Sequence, residues 1–115
     1  MKKFTALETI SLQTTKPDHI IEITLSYDKG NGYNRKRGFY IMIAPVTLKN
    51  YENGLVMKSV SVFDCKSWYI QGADRKTSKA LKEGIAAGNE CLEMGMFDKW
   101  IEKLCRENEY SIVEE

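Results

Sequence analysis

A cluster of cationic and aromatic side chains near the middle of the chain is the group best suited to bind a ligand. Arg35, Lys36 and Arg37 are consecutive and lie in a stretch rich in glycine and tyrosine. Guanidinium and ammonium groups pair with phosphate, and aromatic rings stack on unpaired bases. The same residue types also occur in solvated loops between strands. The cluster therefore predicts a nucleic-acid site, and a solvated loop and an acidic protein partner are the alternatives.

The predicted site extends from this cluster to neighbouring residues. Nearby tyrosines supply rings for stacking, and a second basic patch lies at the start of the helical segment described below. The predicted nucleic-acid-binding residues are Tyr27, Lys29, Tyr33, Arg35, Lys36, Arg37, Tyr40, Arg75 and Lys76. Each stacked base contributes about 1–3 kcal/mol, and the cations make such binding sensitive to salt.

Residues that could carry catalysis or hold a metal are sparse. His19 is the only histidine, and the acidic residue before it would point to the opposite face of a strand. Cys65, Cys91 and Cys105 form no Cys-x-x-Cys pair, so we expect three reduced thiols. Residues 28–32 lack the ligand spacing of a calcium loop and the third glycine of a dinucleotide fingerprint. We expect a protein that is not an enzyme and that holds no metal or cofactor.

The charge of the chain is divided between its two parts. Residues 1–82 carry 14 Lys/Arg and 7 Asp/Glu, whereas residues 83–115 carry 3 and 9, although the net charge is only +1. This asymmetry favours a polyanion or an acidic partner for the first part. The length and ordinary composition predict one domain over residues 1–115. Because no segment has the ~18 apolar residues of a membrane span, we expect no membrane association and a cytoplasmic location.

The first two thirds of the chain have the pattern of strands. Residues 21–27 alternate apolar and polar side chains, which is typical of a half-buried strand. Residues 38–46 are apolar on both faces, which is typical of a central strand. Pro45 cannot donate to a ladder, so it should lie at a bulge or where the strand leaves its neighbour.

A hairpin should follow this central strand. Asn53-Gly54 predicts a turn, and residues 55–65 predict the next strand. Residues 68–70 either extend that strand past a bulge or form a fifth strand. We expect Val56, Val60 and Val62 to share the helix-covered face of the sheet with Ile21, Ile23 and Leu25.

After Gly72 the apolar period becomes helical. The residues that recur at three- and four-residue steps are Leu81, Ile85, Gly88, Leu92, Met96, Trp100 and Leu104. Asp74 or Thr77 could cap the start of the segment. Because glycine destabilises a helix interior by about 1 kcal/mol, Gly84 and Gly88 should pack closely on the sheet and Gly95 should mark a kink or break.

These patterns predict an α+β fold. An antiparallel sheet of four or five strands, over about residues 5–71, precedes one long kinked helix or two consecutive helices, over about residues 74–107. The helical segment packs on one sheet face, and residues 108–115 form a polar tail. The other face should carry the exposed or half-exposed side chains of Thr24, Ser26, Tyr40, Met42 and Phe63.

The stretch from Ser26 to Val46 resembles a group of known proteins. Its Tyr-x-x-Gly-x-x-Tyr-Asn run, followed by Lys-Arg-Gly-Phe-Tyr, is similar to small uncharacterised proteins of phages and conjugative elements of gut Firmicutes. The resemblance covers about residues 5–105 and implies no catalytic residues. At the level of architecture alone, the predicted fold also resembles the whirly and coactivator-type single-stranded-DNA-binding folds.

Two hypotheses for function follow. The first is a non-enzymatic accessory protein of a mobile element that binds nucleic acid, single-stranded in particular, through the basic tyrosine-rich loop and the adjoining sheet. The alternative is a phage or mobile-element inhibitor or adaptor that binds a host or defence protein or a signalling nucleotide. A homodimer is also expected, in which the acidic helical part of one copy meets the basic part of another through Met96, Phe97 and Trp100.

Overall fold

The computed structural model describes residues 2–31, 35–73 and 77–113, in which five strands precede two helices. The elements are β1 (Thr9–Gln13), β2 (His19–Asp28), β3 (Gly38–Asn50), β4 (Val56–Val60), β5 (Lys66–Gly72), α1 (Ser78–Glu93) and α2 (Asp98–Asn108). This arrangement confirms the predicted α+β fold, and it resolves the helical segment into two helices.

All strand pairs of the sheet are antiparallel. β2 lies between β1 and β3, and β4 and β5 both pair with β3. β5 pairs with the first part of β3 and β4 with its last part, so the two short strands share one edge and the turn at residues 61–65 separates them. Pro45 lies between these two ladders, where its missing N–H is tolerated, as the sequence predicts.

The core lies between the helices and one face of the sheet. Alternate residues of β2 and β3 point to this face and are buried almost completely: Ile21, Ile23, Leu25, Phe39, Ile41 and Ile43. α2 contributes Ile101 and Leu104, and the half-buried Leu81, Ile85 and Leu92 of α1 pack against the cluster. The apolar residues of the period-two strand pattern and those of the helical pattern thus pack together in one hydrophobic layer.

Two glycines bring α1 close to the sheet. A Cβ atom on Gly84 would lie 2.5 Å from Cε2 of Phe39, and one on Gly88 would lie 3.2 Å from Cδ1 of Leu25. No side chain larger than hydrogen fits at Gly84 without movement of the ring. The predicted close packing at both glycines is confirmed.

The break between the helices occurs at Gly95, which has a φ of +67°. This left-handed conformation favours glycine, because a Cβ atom there is strained. The break turns Met96 outward, with 53% of its surface exposed, and Phe97 inward, with 2% exposed. The Phe97 ring packs on Trp68 with centroids 4.8 Å apart. The predicted use of Phe97 as a dimer anchor is therefore wrong, since its side chain belongs to the core.

The segment after α2 returns to the sheet. Tyr110 is buried, with 6% of its surface exposed. The Thr15 N–H donates to the Ser111 carbonyl at 2.9 Å, and the Val113 N–H donates to the Gln13 carbonyl at 2.8 Å. The sequence predicts a polar tail from residue 108, but up to residue 113 this segment packs on the end of β1.

The valines predicted to face the core are exposed instead. Val56 and Val60 lie in β4, and Val62 lies in the following turn, where 77% of its surface is exposed. In the register, Val60 lies opposite Val46 and Val56 lies opposite Asn50, whereas the core-facing residues of β3 are the odd-numbered ones, such as Ile41 and Ile43. Both valines are therefore on the face away from the helices. Because β2 pairs with β3 only as far as Thr47, the part of the hairpin nearest the turn also extends beyond β2.

Candidate nucleic-acid interface

The loop between β2 and β3 carries the predicted cations at one end of the sheet. The side chain of Asp28 holds the start of the loop. Its Oδ1 accepts a hydrogen bond from the Gly30 N–H at 2.7 Å, and its Oδ2 lies 2.7 Å from Nε of Arg35. Gly30 has a φ of +80°, which permits this tight path.

The loop is also held by Arg37, whose Nε donates to the Lys29 carbonyl at 3.0 Å. Lys29, Arg35, Lys36 and Arg37 are all exposed. The backbone geometry therefore gathers four cationic residues, and two of them also brace the loop.

Two of these cations rest on aromatic rings of the sheet. The Arg35 guanidinium lies 4.3 Å from the Tyr40 ring centroid, and Lys36 Nζ lies 5.3 Å from that of Tyr69. The two tyrosines meet edge to face with centroids 5.4 Å apart, and the Tyr40 hydroxyl donates to the Lys36 carbonyl at 2.7 Å. Tyr40 is only 8% exposed, whereas Tyr69 is 42% exposed. Tyr69 therefore offers the accessible ring of this pair.

Both helices of the described chain pack on the opposite face of the sheet from these rings. Ser26 lies opposite Tyr40 in the register of β2 and β3, and Ser67 of β5 lies opposite Met42. Thr24 and Ser26 are half-buried and Met42 is exposed, as expected from the sequence, whereas the expected exposure of Tyr40 is wrong because its ring is covered by Tyr69 and Arg35. We call this surface the open face.

The predicted site residues divide into three groups. The structure brings together Lys29, Arg35, Lys36, Arg37 and Tyr40. Tyr27 lies on the helix-covered face instead, where its ring contacts Phe39 at a centroid distance of 5.2 Å. Tyr27 and Tyr40 thus point to opposite faces and do not form one stacking surface. Tyr33, Arg75 and Lys76 lie outside the described residues.

Tyr69 is the residue of this site that the sequence reasoning missed. Its neighbours Trp68 and Ile70 pack against the core, so alternation along β5 places Tyr69 on the open face. That alternation is a signal in the sequence. The pairing of Tyr69 with Tyr40 has no signal in the sequence, because it depends on a register shift between Phe39 and Tyr40.

A second cation–aromatic group lies between β5 and α2. Lys66 Nζ is 5.2 Å from the ring centroids of both Trp68 and Trp100, and Lys103 Nζ is 4.5 Å from that of Trp100. The two indole rings are 6.3 Å apart. Because both tryptophans pack on the core cluster, this group serves to join α2 to the sheet.

The thiols lie in environments that suppress their reactivity. Burial raises the pKa of Cys65, Cys91 and Cys105, and a neighbouring carboxylate raises each pKa further. A raised pKa reduces the thiolate fraction, which is the nucleophilic form. Within residues 2–31, 35–73 and 77–113, no three His, Cys, Asp or Glu side chains are grouped as metal ligands.

Comparisons with protein-family models, with curated proteins and with solved structures find no match to this chain. Neither helix of the described chain has the length and apolar character needed to cross a bilayer.

Proposed function

We propose that this protein binds nucleic acid, preferring single strands, as a non-enzymatic accessory protein. The observation that carries the proposal is the position of Lys36 above the exposed ring of Tyr69, next to Lys29, Arg35 and Arg37. A ring and several cations within one loop and one strand pair are what a base and its phosphates require.

The proposed binding mode uses each group in turn. A base stacks on Tyr69 and displaces the Lys36 ammonium from the ring, which frees that ammonium to pair with a phosphate. The hydroxyls of Ser26 and Ser67 lie on the same face for contacts with sugar or phosphate. Single strands are preferred because only unpaired bases present a whole ring face.

Fluorescence anisotropy with labelled single- and double-stranded oligonucleotides tests this proposal. We expect tighter binding to the single strand and a salt slope of about −3 if four cations each release a counterion. Tyr69→Ala should weaken binding by about 1–3 kcal/mol, whereas Tyr69→Phe should retain most of it. Lys36→Ala should reduce the salt slope by about 0.7.

The matched control is Lys99→Ala, which removes an exposed lysine from α2, away from the proposed site. It should leave both affinity and salt slope unchanged. Absence of binding to either oligonucleotide at low salt would refute the proposal. Equal losses for Lys99→Ala and Lys36→Ala would show binding that is merely electrostatic and not located at the loop.

A further inference from the structure

The overhanging β3–β4 hairpin and the turn after it expose an unusual amount of apolar surface. We call residues 51–63 the hairpin arm, and every residue in it is exposed. Phe63 is 91% exposed and Leu55 is 53% exposed. The large apolar side chains of the arm are Tyr51, Leu55, Val56, Met57, Val60, Val62 and Phe63. Val56 and Val60 share one face of β4, and Met57 lies on the other. Exposed apolar surface of this extent is typical of interaction sites.

The arm also presents an unpaired strand edge. Within the described residues, β4 pairs with β3 alone. Strand edges are usually protected by charge, and the only charged residue of β4 is Lys58. Its Nζ lies 2.6 Å from Oε2 of Glu22, which belongs to β2 on the far side of β3. The salt bridge draws this charge away from the free edge and leaves the edge suited to pairing.

The sequence of β4 is nearly symmetric about Lys58. Val56 and Val60 stand two residues to either side of it, and Met57 and Ser59 stand next to it. In an antiparallel pair of two β4 strands centred on Lys58, Val56 of each copy lies opposite Val60 of the other. Lys58 lies opposite its own copy, and the salt bridge to Glu22 in each chain offsets the repulsion between the two ammonium groups. A two-fold axis requires this self-complementarity, whereas an unrelated partner does not.

The amount of exposed apolar surface on the arm is consistent with a second copy of this chain as the partner. From their exposed fractions and typical residue areas, the seven apolar residues of the arm expose on the order of 800 Å², which is an upper limit on the apolar surface that the arm can bury and is close to what each partner buries in a standard interface. We propose that the arm is a dimerisation surface on which a second copy of this chain pairs through β4. The proposal uses a different surface from the nucleic-acid site and does not depend on it.

Light scattering coupled to size exclusion, without nucleic acid, measures the mass of the full chain and its variants. We expect the wild type to have twice the mass of one chain. The variant with both Val56→Glu and Val60→Glu should have half that mass, because carboxylates would face each other across the axis. The variant with Val56→Glu and Val60→Lys should recover the dimer, because each carboxylate would face an ammonium.

The control is Met96→Glu, which adds a charge at an exposed residue between α1 and α2. It should leave the dimer intact. Circular dichroism melts establish that each variant is folded, as expected for substitutions at exposed residues. The proposal would be overturned if the wild type is a monomer at the highest soluble concentration, even if its arm binds a different protein. It would also be overturned if the variant with Val56→Glu and Val60→Glu remains a dimer. Failure of the variant with Val56→Glu and Val60→Lys to form a dimer would overturn it as well.

Discussion

Gly84 sets the distance between α1 and β3. Its missing side chain makes room for the Phe39 ring, whose Cε2, Cδ2 and Cζ atoms would all lie within 2.6 Å of a Cβ atom there. Helix propensity favours alanine over glycine by about 1 kcal/mol, so the local preference and the tertiary contact oppose each other. The tertiary contact outweighs the propensity, because an aromatic ring in a packed core cannot move without disturbing its neighbours.

Gly84→Ala should therefore lower the free energy of unfolding by about 1–2 kcal/mol despite the better helix propensity. Gly88→Ala should cost less, because its nearest contacts are the terminal methyl groups of Leu25 at 3.2 and 3.3 Å. Urea denaturation measures both. Combining Gly84→Ala with Phe39→Leu should recover part of the loss, and strictly additive losses would contradict the steric explanation.

The hydroxyl of Tyr110 is a buried polar group with no hydrogen-bond partner in the described structure. Burial raises its pKa above the ordinary value, and the nearby Cys105 and Asp64 raise it further. Below pH ~10, tyrosine is protonated in both the folded and unfolded chain. Above that pH the unfolded chain loses the proton first, so Tyr110 makes the folded protein progressively less stable as pH rises.

Tyr110→Phe should keep the packing of the ring and remove the unsatisfied hydroxyl. We expect a gain of about 1 kcal/mol in unfolding free energy at pH 7. The difference in unfolding free energy between the variant and the wild type should be larger at about pH 10.5, because the variant has no phenol at this position to ionise. Denaturation at the two pH values checks this, with exposed Tyr51→Phe as the control. A gap that narrows with pH would contradict the stated direction of the pKa shift.

At the scale of elements, α1 begins with a side-chain cap. Oγ1 of Thr77 accepts a hydrogen bond from the Ala80 N–H at 3.1 Å. Thr77→Ala should lower the unfolding free energy by about 1 kcal/mol, and Thr77→Ser should restore most of it. Thermal melts monitored by circular dichroism measure the difference. Equal stability of the alanine and serine variants would show that this hydrogen bond does not stabilise the helix.

The elements that sequence reasoning predicted are those governed by local chemistry. Thr77 as one of the two candidate caps, Gly95 as a break and Pro45 between two ladders follow from the local chemistry of single residues. Asp74, the other candidate cap, lies outside the described residues. The hairpin arm could not be predicted in this way. Val56 and Val60 alternate as in any half-buried strand, but the face that they occupy depends on their register with β3, which sets them opposite Asn50 and Val46 on the face away from the helices.

The cations of the candidate site could be predicted from the sequence, whereas the pairing of the tyrosines that accompany them could not. Contiguity along the chain places Lys29, Arg35 and Lys36 in one loop, and the sequence displays that contiguity directly. The sheet face of each tyrosine depends on register. Tyr27 lies on the covered face and Tyr69 on the open face, and the register shift beside Tyr40 brings Tyr69 to the cations.

On the scale of the whole molecule, the Asn89 side chain fastens the first segment to α1, in addition to a salt bridge of 3.2 Å between Lys3 and Glu93. The Phe4 N–H donates to Oδ1 of Asn89 at 2.7 Å, and Nδ2 of Asn89 donates to the Phe4 carbonyl at 3.0 Å. The Phe4 ring is buried in the core. One amide therefore satisfies both backbone groups at the point where the chain enters the fold.

Asn89→Ala should leave the Phe4 backbone groups unsatisfied and lower the unfolding free energy by about 1–3 kcal/mol. Native-state amide hydrogen exchange should show the loss of protection concentrated in residues 2–8. Glu90→Ala, at the exposed neighbouring position, is the control. A uniform loss of protection across the sheet would contradict a local fastening role.

The return of residues 111–113 to β1 closes a long loop of the chain. Thr15 and Ser111 are joined by two hydrogen bonds, although 96 positions separate them in the sequence. A contact between distant positions forms only after the entropy of closing the intervening loop has been overcome. We therefore expect this contact to form later in folding than the hairpin pairing of β2 with β3.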